Sequence, residues 1–100
     1  MNHIINNRYI EFTFDKEEIT SFNFNDIKKQ INEKLSNEDE YDIIIFNMIH
    51  VKYMDSSGIN FLLNIKKKTE KEIILKNCNE TIIKVLEILN LQNMFEFFER

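Results

Sequence analysis

The residues of this chain that are best placed to do chemistry lie in the segment Asp55-Ser56-Ser57-Gly58, which holds its only glycine. An apolar run precedes the segment and an amphipathic stretch follows it, so a strand would give way to a helix here. A serine hydroxyl at such a junction can cap the helix, because the first N–H groups of a helix have no partner within it. It can equally carry a phosphoryl group, since the positive end of a helix and its exposed N–H groups favour an anion. The tetrapeptide alone leaves both roles open.

A phosphoryl group on Ser56 would act as a charge switch. It would add about −1.5 to −2 charges beside Asp55. That charge is enough to repel an acidic partner surface or to block an apolar contact, and neither effect requires the domain to unfold. In that role the segment would be a site of reversible modification, and in the other role only a helix cap.

The other reactive residues lack the spacing that catalysis or metal binding needs. His3, His50 and Cys78 form no pair with the ligand spacing of a metal site. The chain contains neither the G-x-S-x-G elbow of a serine hydrolase nor the G-x-x-x-x-G-K loop of a nucleotide-binding protein. We therefore expect no enzymatic activity, no metal and no cofactor. A small hydrolase remains an alternative, which turnover of an ester substrate would favour.

The composition indicates one globular domain over residues 1–100. Hydrophobic residues make up 43% of the chain and charged residues 30%, as in ordinary folded proteins. The net charge of −4 argues against a nucleic-acid partner, which needs a basic surface. The single cysteine excludes an internal disulfide, and neither a signal peptide nor an apolar run of about 18 residues is found. We expect a cytoplasmic protein without membrane insertion.

The elements that must position Ser56 begin with a hairpin. Ile10, Phe12 and Phe14 alternate with polar residues, which predicts a strand with one face toward water. A turn at Asn6-Asn7 joins it to a strand at residues 4–5.

A helix follows the hairpin. Ile27, Ile31 and Leu35 lie along one stripe of it, and Asn25 is its predicted N-cap. The polar residues 36–40 end the helix.

Strands and helices alternate through the rest of the chain. Residues 43–46 form a continuous apolar run, which predicts a central strand buried on both faces, and residues 72–76 form a second strand. Each strand is followed by apolar residues with helical spacing. The first stripe is Ile59, Leu62 and Leu63, and the second is Ile82, Val85, Leu86 and Leu89. The order β-β-α-β-α-β-α predicts an α/β domain with a mixed sheet of four or five strands.

The last ten residues, 91–100, fit a strand or a helix. Met94, Phe95, Phe97 and Phe98 place four large apolar side chains within five positions. In a strand, Phe95 and Phe97 would share one face and Phe98 would point to the other. Because some of this aromatic surface should stay exposed, we expect self-association, as a two-fold dimer that buries part of the segment.

The segment at residues 51–63 resembles the phosphorylation loop of STAS domains (sulfate transporter and anti-sigma factor antagonist). The likeness is greatest to the stand-alone bacterial antagonists, whose loop reads apolar-Met-Asp-Ser-Ser/Thr-Gly-Leu-Gly. Residues 79–86 and 91–95 are similar to the third helix and tail of the family, and residues 17–20 to its Gly-Glu-Ile/Leu-Asp motif. Thr20 stands where the family usually has Asp. In the family the phosphorylated residue directly follows the Asp, which implies Ser56 here and leaves Ser57 as the better placed N-cap.

The resemblance implies a non-enzymatic anti-sigma factor antagonist. Without phosphate on Ser56, the domain would bind a serine kinase of the histidine-kinase-like ATPase type that is also an anti-sigma factor, and so free the sigma factor. Phosphorylation of Ser56 would break the complex, and a serine phosphatase would restore it. The expected partner surface is Tyr53, Met54, Asp55, Ser56, Ser57, Gly58, Ile59 and Asn60.

A constitutive role is the main alternative to this switch. Some STAS domains are scaffold or regulatory subunits, for example of a lipid-transport ATPase. In such a subunit Ser56 would only cap a helix.

Overall fold

The computed structural model describes residues 2–6, 8–35 and 41–98, with side chains from Arg8 onward. Its strands are β1 (Asn2–Asn6), β2 (Tyr9–Thr13), β3 (Glu18–Ile19), β4 (Ile43–Asn47), β5 (Tyr53–Met54), β6 (Glu72–Lys76) and β7 (Glu96–Phe98). Its helices are α1 (Phe24–Lys34), α2 (Ser56–Lys68) and α3 (Glu80–Ile88), and a 3₁₀ turn spans Gln92–Met94.

Five of the strands form one mixed sheet in the order β1-β2-β4-β6-β7. The β1–β2 hairpin is antiparallel, and the pairs β2–β4, β4–β6 and β6–β7 are parallel. The predicted mixed sheet with residues 43–46 in its centre is therefore confirmed.

One face of this sheet carries the hydrophobic core. The register aligns Ile10 with Ile44 and Ile73, and all three are at most 1% exposed. Phe46 packs against the rings of Phe12, Phe14 and Phe61, with ring centroids 5.8, 5.7 and 6.3 Å away. Phe61 belongs to α2, so these contacts fix that helix, and with it Ser56, against the sheet.

The opposite face of the sheet is only half covered. The prediction that β4 is buried on both faces is wrong, because Ile44 and Phe46 are buried while Ile43 and Ile45 are partly exposed. Polar side chains share this face: the Asn47 amide donates to Glu11, and Lys76 pairs with Glu11 at 3.6 Å. A strand with a continuous apolar sequence can therefore leave one of its two faces partly exposed to solvent.

The helix α1 starts earlier than the sequence suggested. Its N-cap position is Asn23, so the prediction of Asn25 as N-cap is wrong. The Asn23 side chain instead ties the preceding loop, where it accepts from Thr20 N–H at 3.0 Å and donates to the Glu18 carbonyl at 2.7 Å. Ile27 and Ile31 are buried as predicted. Residues 36–40, predicted to end the helix, lie outside the described residues.

The helix α3 buries part of its predicted stripe. Ile82 and Leu86 are 2% and 0% exposed, whereas Leu89 is 51% exposed. The prediction that Leu89 packs against the sheet is wrong, because the helix ends at Ile88 and the chain turns away through Asn90, whose φ is 58°.

Within residues 91–98, the 3₁₀ turn is followed by the strand β7, whose faces alternate as a strand requires. Phe95, just before the strand, is 6% exposed, Phe97 is half-buried and Phe98 is 55% exposed. No helix in the described part of the chain is both long and apolar enough to span a membrane.

Candidate functional site

A second, two-stranded sheet brings two distant segments together at the candidate site. Strands β3 and β5 pair in parallel, with Glu18 beside Tyr53 and Ile19 beside Met54. The Glu17 carbonyl accepts from the N–H groups of Lys52 and Tyr53, at 2.7 and 3.2 Å. The pairing places residues 17–20 next to the Asp55-Ser56-Ser57-Gly58 segment, which the sequence alone did not predict except through family resemblance.

Asp55 caps the helix α2. Its backbone is extended, and its Oδ1 atom accepts from Ser57 N–H at 2.9 Å and from Gly58 N–H at 3.3 Å. The prediction of Ser57 as the N-cap is therefore wrong. The helix already begins at Ser56, so both serines are inside it, and the carboxylate one position earlier is the group that reaches the first N–H groups.

The second carboxylate oxygen of Asp55 holds the loop between β3 and α1. Its Oδ2 atom accepts from Ser21 N–H at 3.1 Å, and Asp55 N–H donates to the Ile19 carbonyl at 3.1 Å. Asp55 therefore links three pieces of backbone: the β3 strand, the loop after it and the start of α2.

Gly58 suits the close approach of α2 to this small sheet. A methyl group at Gly58 would lie 2.8 Å from Met54 Cε and 3.1 Å from both Ile19 Cγ2 and the Ile19 carbonyl oxygen. Such contacts are too short for a side chain unless its neighbours move. The only glycine of the chain thus allows the first turn of α2 to pack directly on β3 and β5.

Ser56 is the first residue of α2, and its side chain is exposed. Within the described residues, its hydroxyl has no hydrogen-bond partner, so it does not cap the helix.

The surroundings of Ser56 differ from the anion site that the sequence suggested. The N–H groups of Ser57 and Gly58 donate to the Asp55 carboxylate, and that of Ile59 donates to the Asp55 carbonyl. The expectation that the N–H groups at this helix end would be exposed is wrong for Ser57, Gly58 and Ile59, since Asp55 already accepts from all three.

The predicted partner surface is only partly a surface. Tyr53 is 49% exposed, and Ser56 and Asn60 are also exposed. Met54 and Ile59, at 6% and 5% exposed, belong to the core, and Gly58 is buried under β3 and β5. The prediction that Met54 and Ile59 offer an apolar patch to a partner is wrong, because both side chains pack inward. Asp55 and Ser57 are half-buried.

Two exposed apolar residues were not predicted from the sequence, and one of them, Phe22, directly follows Ser21, which Asp55 binds. Phe22, in the loop that Asp55 holds, is 98% exposed, and Ile49, in the loop after β4, is 58% exposed. In the sequence, Phe22 is a lone aromatic residue between the polar residues Ser21 and Asn23, and this pattern could have indicated its exposure. The position of its loop beside the start of α2 depends on the β3–β5 pairing, which two-residue strands do not reveal in sequence.

Asn79 fixes the loop that leads into β5. Its side chain caps α3 by accepting from Ile82 N–H at 2.9 Å. Its amide also donates to the carbonyls of Val51 and Lys52, at 3.3 and 3.2 Å. One side chain thus couples the start of α3 to the approach to Tyr53.

Of the weaker candidates, Cys78 is partly buried and His50 is exposed, and the side chain of His3 lies outside the described residues. Burial raises the pKa of the Cys78 thiol to about 12, so this thiol stays protonated and a poor nucleophile at neutral pH. Among the residues that the structure covers, no three His, Cys, Asp or Glu side chains come together as metal ligands.

Comparison with known families gives one match over nearly the whole chain. The model of the STAS domain matches residues 5–100.

Solved structures with the same fold include two anti-sigma factor antagonists. A proposed antagonist from Thermotoga maritima superposes with a TM-score of 0.82 at 19% identity, over 99% of this chain and 86% of that one. The antagonist SpoIIAA in its unphosphorylated form gives a TM-score of 0.68 at 19% identity, over 97% and 83% of the two chains. The phosphorylated form of SpoIIAA, a cell fate determinant of Bacillus, gives 0.70 at 20% identity, over 97% and 86%. These structures share the fold of this chain.

Proposed function

The chain belongs to the STAS domain family, and from that premise we propose that it is an anti-sigma factor antagonist controlled by phosphorylation of Ser56. Its partner in this proposal is a serine kinase of the histidine-kinase-like ATPase type that also acts as an anti-sigma factor. The unphosphorylated domain binds this kinase in the cytoplasm and so frees the sigma factor.

The observation that carries the proposal is the position of the Ser56 hydroxyl. It is exposed at the first residue of α2, and Asp55 already supplies the cap of that helix. A kinase can therefore reach the hydroxyl without opening the fold, and modification removes no bond found among the described residues.

The switch works through charge. The kinase transfers the γ-phosphoryl group of ATP to Ser56 Oγ, ADP leaves, and the hydroxyl proton is released. The product carries about −1.5 to −2 charges next to the Asp55 carboxylate. A partner surface that accepts a neutral serine beside one carboxylate must then accommodate two adjacent anionic groups, which lowers the affinity. The domain contributes no catalysis of its own, and a serine phosphatase restores the binding state.

Capping by Asp55 weakens the constitutive alternative. In a scaffold subunit the serine would be explained as a helix cap, but the cap is the Asp55 carboxylate. Detection of phosphate on Ser56 in a cell extract separates the switch from the scaffold.

The decisive experiment is phosphorylation in vitro with a purified kinase of this type from the same organism. Wild type and Ser57→Ala should be labelled by ATP, and Ser56→Ala should not. Label that persists on Ser56→Ala would sink the assignment. The variant Ser56→Asp should bind the kinase more weakly than wild type, although it carries less charge than a phosphoryl group.

Self-association through the C-terminal segment forms the second part of the proposal. The exposed ring of Phe98 lies on the half-covered face of the sheet, at its β7 edge. A two-fold contact would pair this ring with the same surface of a second copy.

A further inference from the structure

Phe22 is the most exposed large apolar side chain in the described ranges, at 98%. A single exposed apolar residue is common and needs no special explanation. This one differs because the backbone that carries it is firmly held, which is unusual for a loop tip.

Hydrogen bonds around Thr20 fix the loop. The Thr20 hydroxyl accepts from Phe22 N–H at 3.2 Å, and its carbonyl accepts from the N–H groups of Asn23 and Phe24 at 3.2 and 2.9 Å. Thr20 N–H donates in turn to Asn23 Oδ1. The backbone at Phe22 is therefore already ordered, so that binding through its ring would fix few groups beyond the side chain itself.

The same loop is joined directly to the phosphorylation segment. Ser21, the neighbour of Phe22, donates its N–H to the Asp55 carboxylate at 3.1 Å, and Asp55 is the neighbour of Ser56. A kinase whose catalytic cleft receives the Ser56 hydroxyl would therefore lie beside the loop that carries Phe22.

We propose that Phe22 is the main anchor of kinase binding, and that its ring enters an apolar pocket beside the catalytic cleft of the kinase. This inference rests on the proposed function, because the kinase is the partner named there. A large aromatic side chain on a preorganised backbone is typical of the few residues that dominate the energy of an interface. Tyr53, 49% exposed in the neighbouring strand β5, contributes to the rim of the contact.

The anchor also accounts for the sensitivity of binding to the charge on Ser56. The apolar contact of Phe22 excludes water from the surroundings of Asp55, and in such surroundings an added phosphoryl charge interacts more strongly and is harder to solvate. The anchor and the switch thus act on one small area of the interface.

The test compares kinase binding by variants whose fold is unchanged. The probe is the purified serine kinase of the histidine-kinase-like ATPase type from the same organism, measured by calorimetry. Phe22→Ala should weaken binding about 30-fold or more, and Phe22→Leu should recover part of the loss. The matched control is Ile88→Ala, since Ile88 is 78% exposed at the end of α3, roughly 13 Å along the helix axis from Asn79. This control should bind like wild type.

The outcomes separate the inference from the proposed function. If wild type binds and is phosphorylated on Ser56 while Phe22→Ala binds equally well, the anchor is wrong and the function stands. If wild type neither binds nor is phosphorylated, the proposed function fails. Light scattering of Phe22→Ala identifies a third case: a loss of self-association with unchanged kinase affinity would assign Phe22 to a contact between copies of this chain and overturn the inference.

Discussion

At the scale of single residues, Asp55 organises the candidate site. One carboxylate oxygen accepts from the first N–H groups of α2 and the other accepts from Ser21. The segment Asp55-Ser56-Ser57-Gly58 could be selected from sequence, because its residue types stand at a strand–helix junction. The residue that caps the helix could not be identified from the sequence, because a shift of the helix start by one residue exchanges the roles of Asp55 and the two serines.

Two substitutions of Asp55 separate its two contacts. Asp55→Ala removes both and should lower the free energy of unfolding by about 1–2 kcal/mol, the cost of a lost N-cap. Asp55→Asn keeps a good cap, because its amide oxygen can accept from Ser57 and Gly58, but its NH₂ group cannot accept from Ser21. Asp55→Asn should therefore lower the free energy of unfolding by less than Asp55→Ala does. Urea unfolding measures both, and equal losses would show that the cap is not the main contribution.

At the scale of elements, the long periodic segments were predictable and the short ones were not. The helix α3 and the strands β4 and β6 gave clear patterns, because each contains several apolar residues of which two are buried in the core. The strands β3 and β5 have two residues each, which is too short for any alternation to be recognised. Yet these two strands place the loop that carries Phe22 beside the start of α2. The loop that carries Phe22 was therefore not predicted as part of the site, because the short strands β3 and β5 are the elements that position it.

The helix α3 offers a matched pair of substitutions. Leu86 is 0% exposed and Leu89 is 51% exposed, and both differ from alanine by the same atoms. Leu86→Ala should lose about 2–5 kcal/mol of unfolding free energy, through lost burial and the cavity that remains. Leu89→Ala should lose no more than about 0.5 kcal/mol, as surface changes do. Similar losses in a urea titration would contradict the orientation of α3.

At the scale of the whole molecule, the two faces of the sheet differ in burial and in composition. One face carries the core and fixes α2, and the other is half covered and contains the polar contacts of Glu11 with Asn47 and Lys76. Hydrophobic patterning predicted the first face correctly. It overestimated the cover on the second, because the apolar residues of β4 look the same in sequence whether a helix lies over them or not.

Self-association is the prediction that belongs to this scale. Wild type should show a mass in light scattering that rises with concentration toward that of a dimer, and Phe98→Ser should remain a monomer. Phe98 is 55% exposed, so its loss should leave the melting temperature nearly unchanged. Ile88→Ser is the control, since Ile88 is also exposed but lies at the end of α3. A wild type that stays monomeric at high concentration would exclude the dimer.

The occupied N–H groups at the start of α2 have a consequence for how long a modification would last. Phosphate monoesters hydrolyse extremely slowly without an enzyme. In the proposed switch, a phosphoryl group on Ser56 would not find the N–H groups of Ser57 and Gly58 free, since Asp55 accepts from both. A phosphatase could then reach the ester without first displacing it from the helix. The domain would keep a record of past kinase activity, and the amount of phosphatase in the cell would set the lifetime of that record.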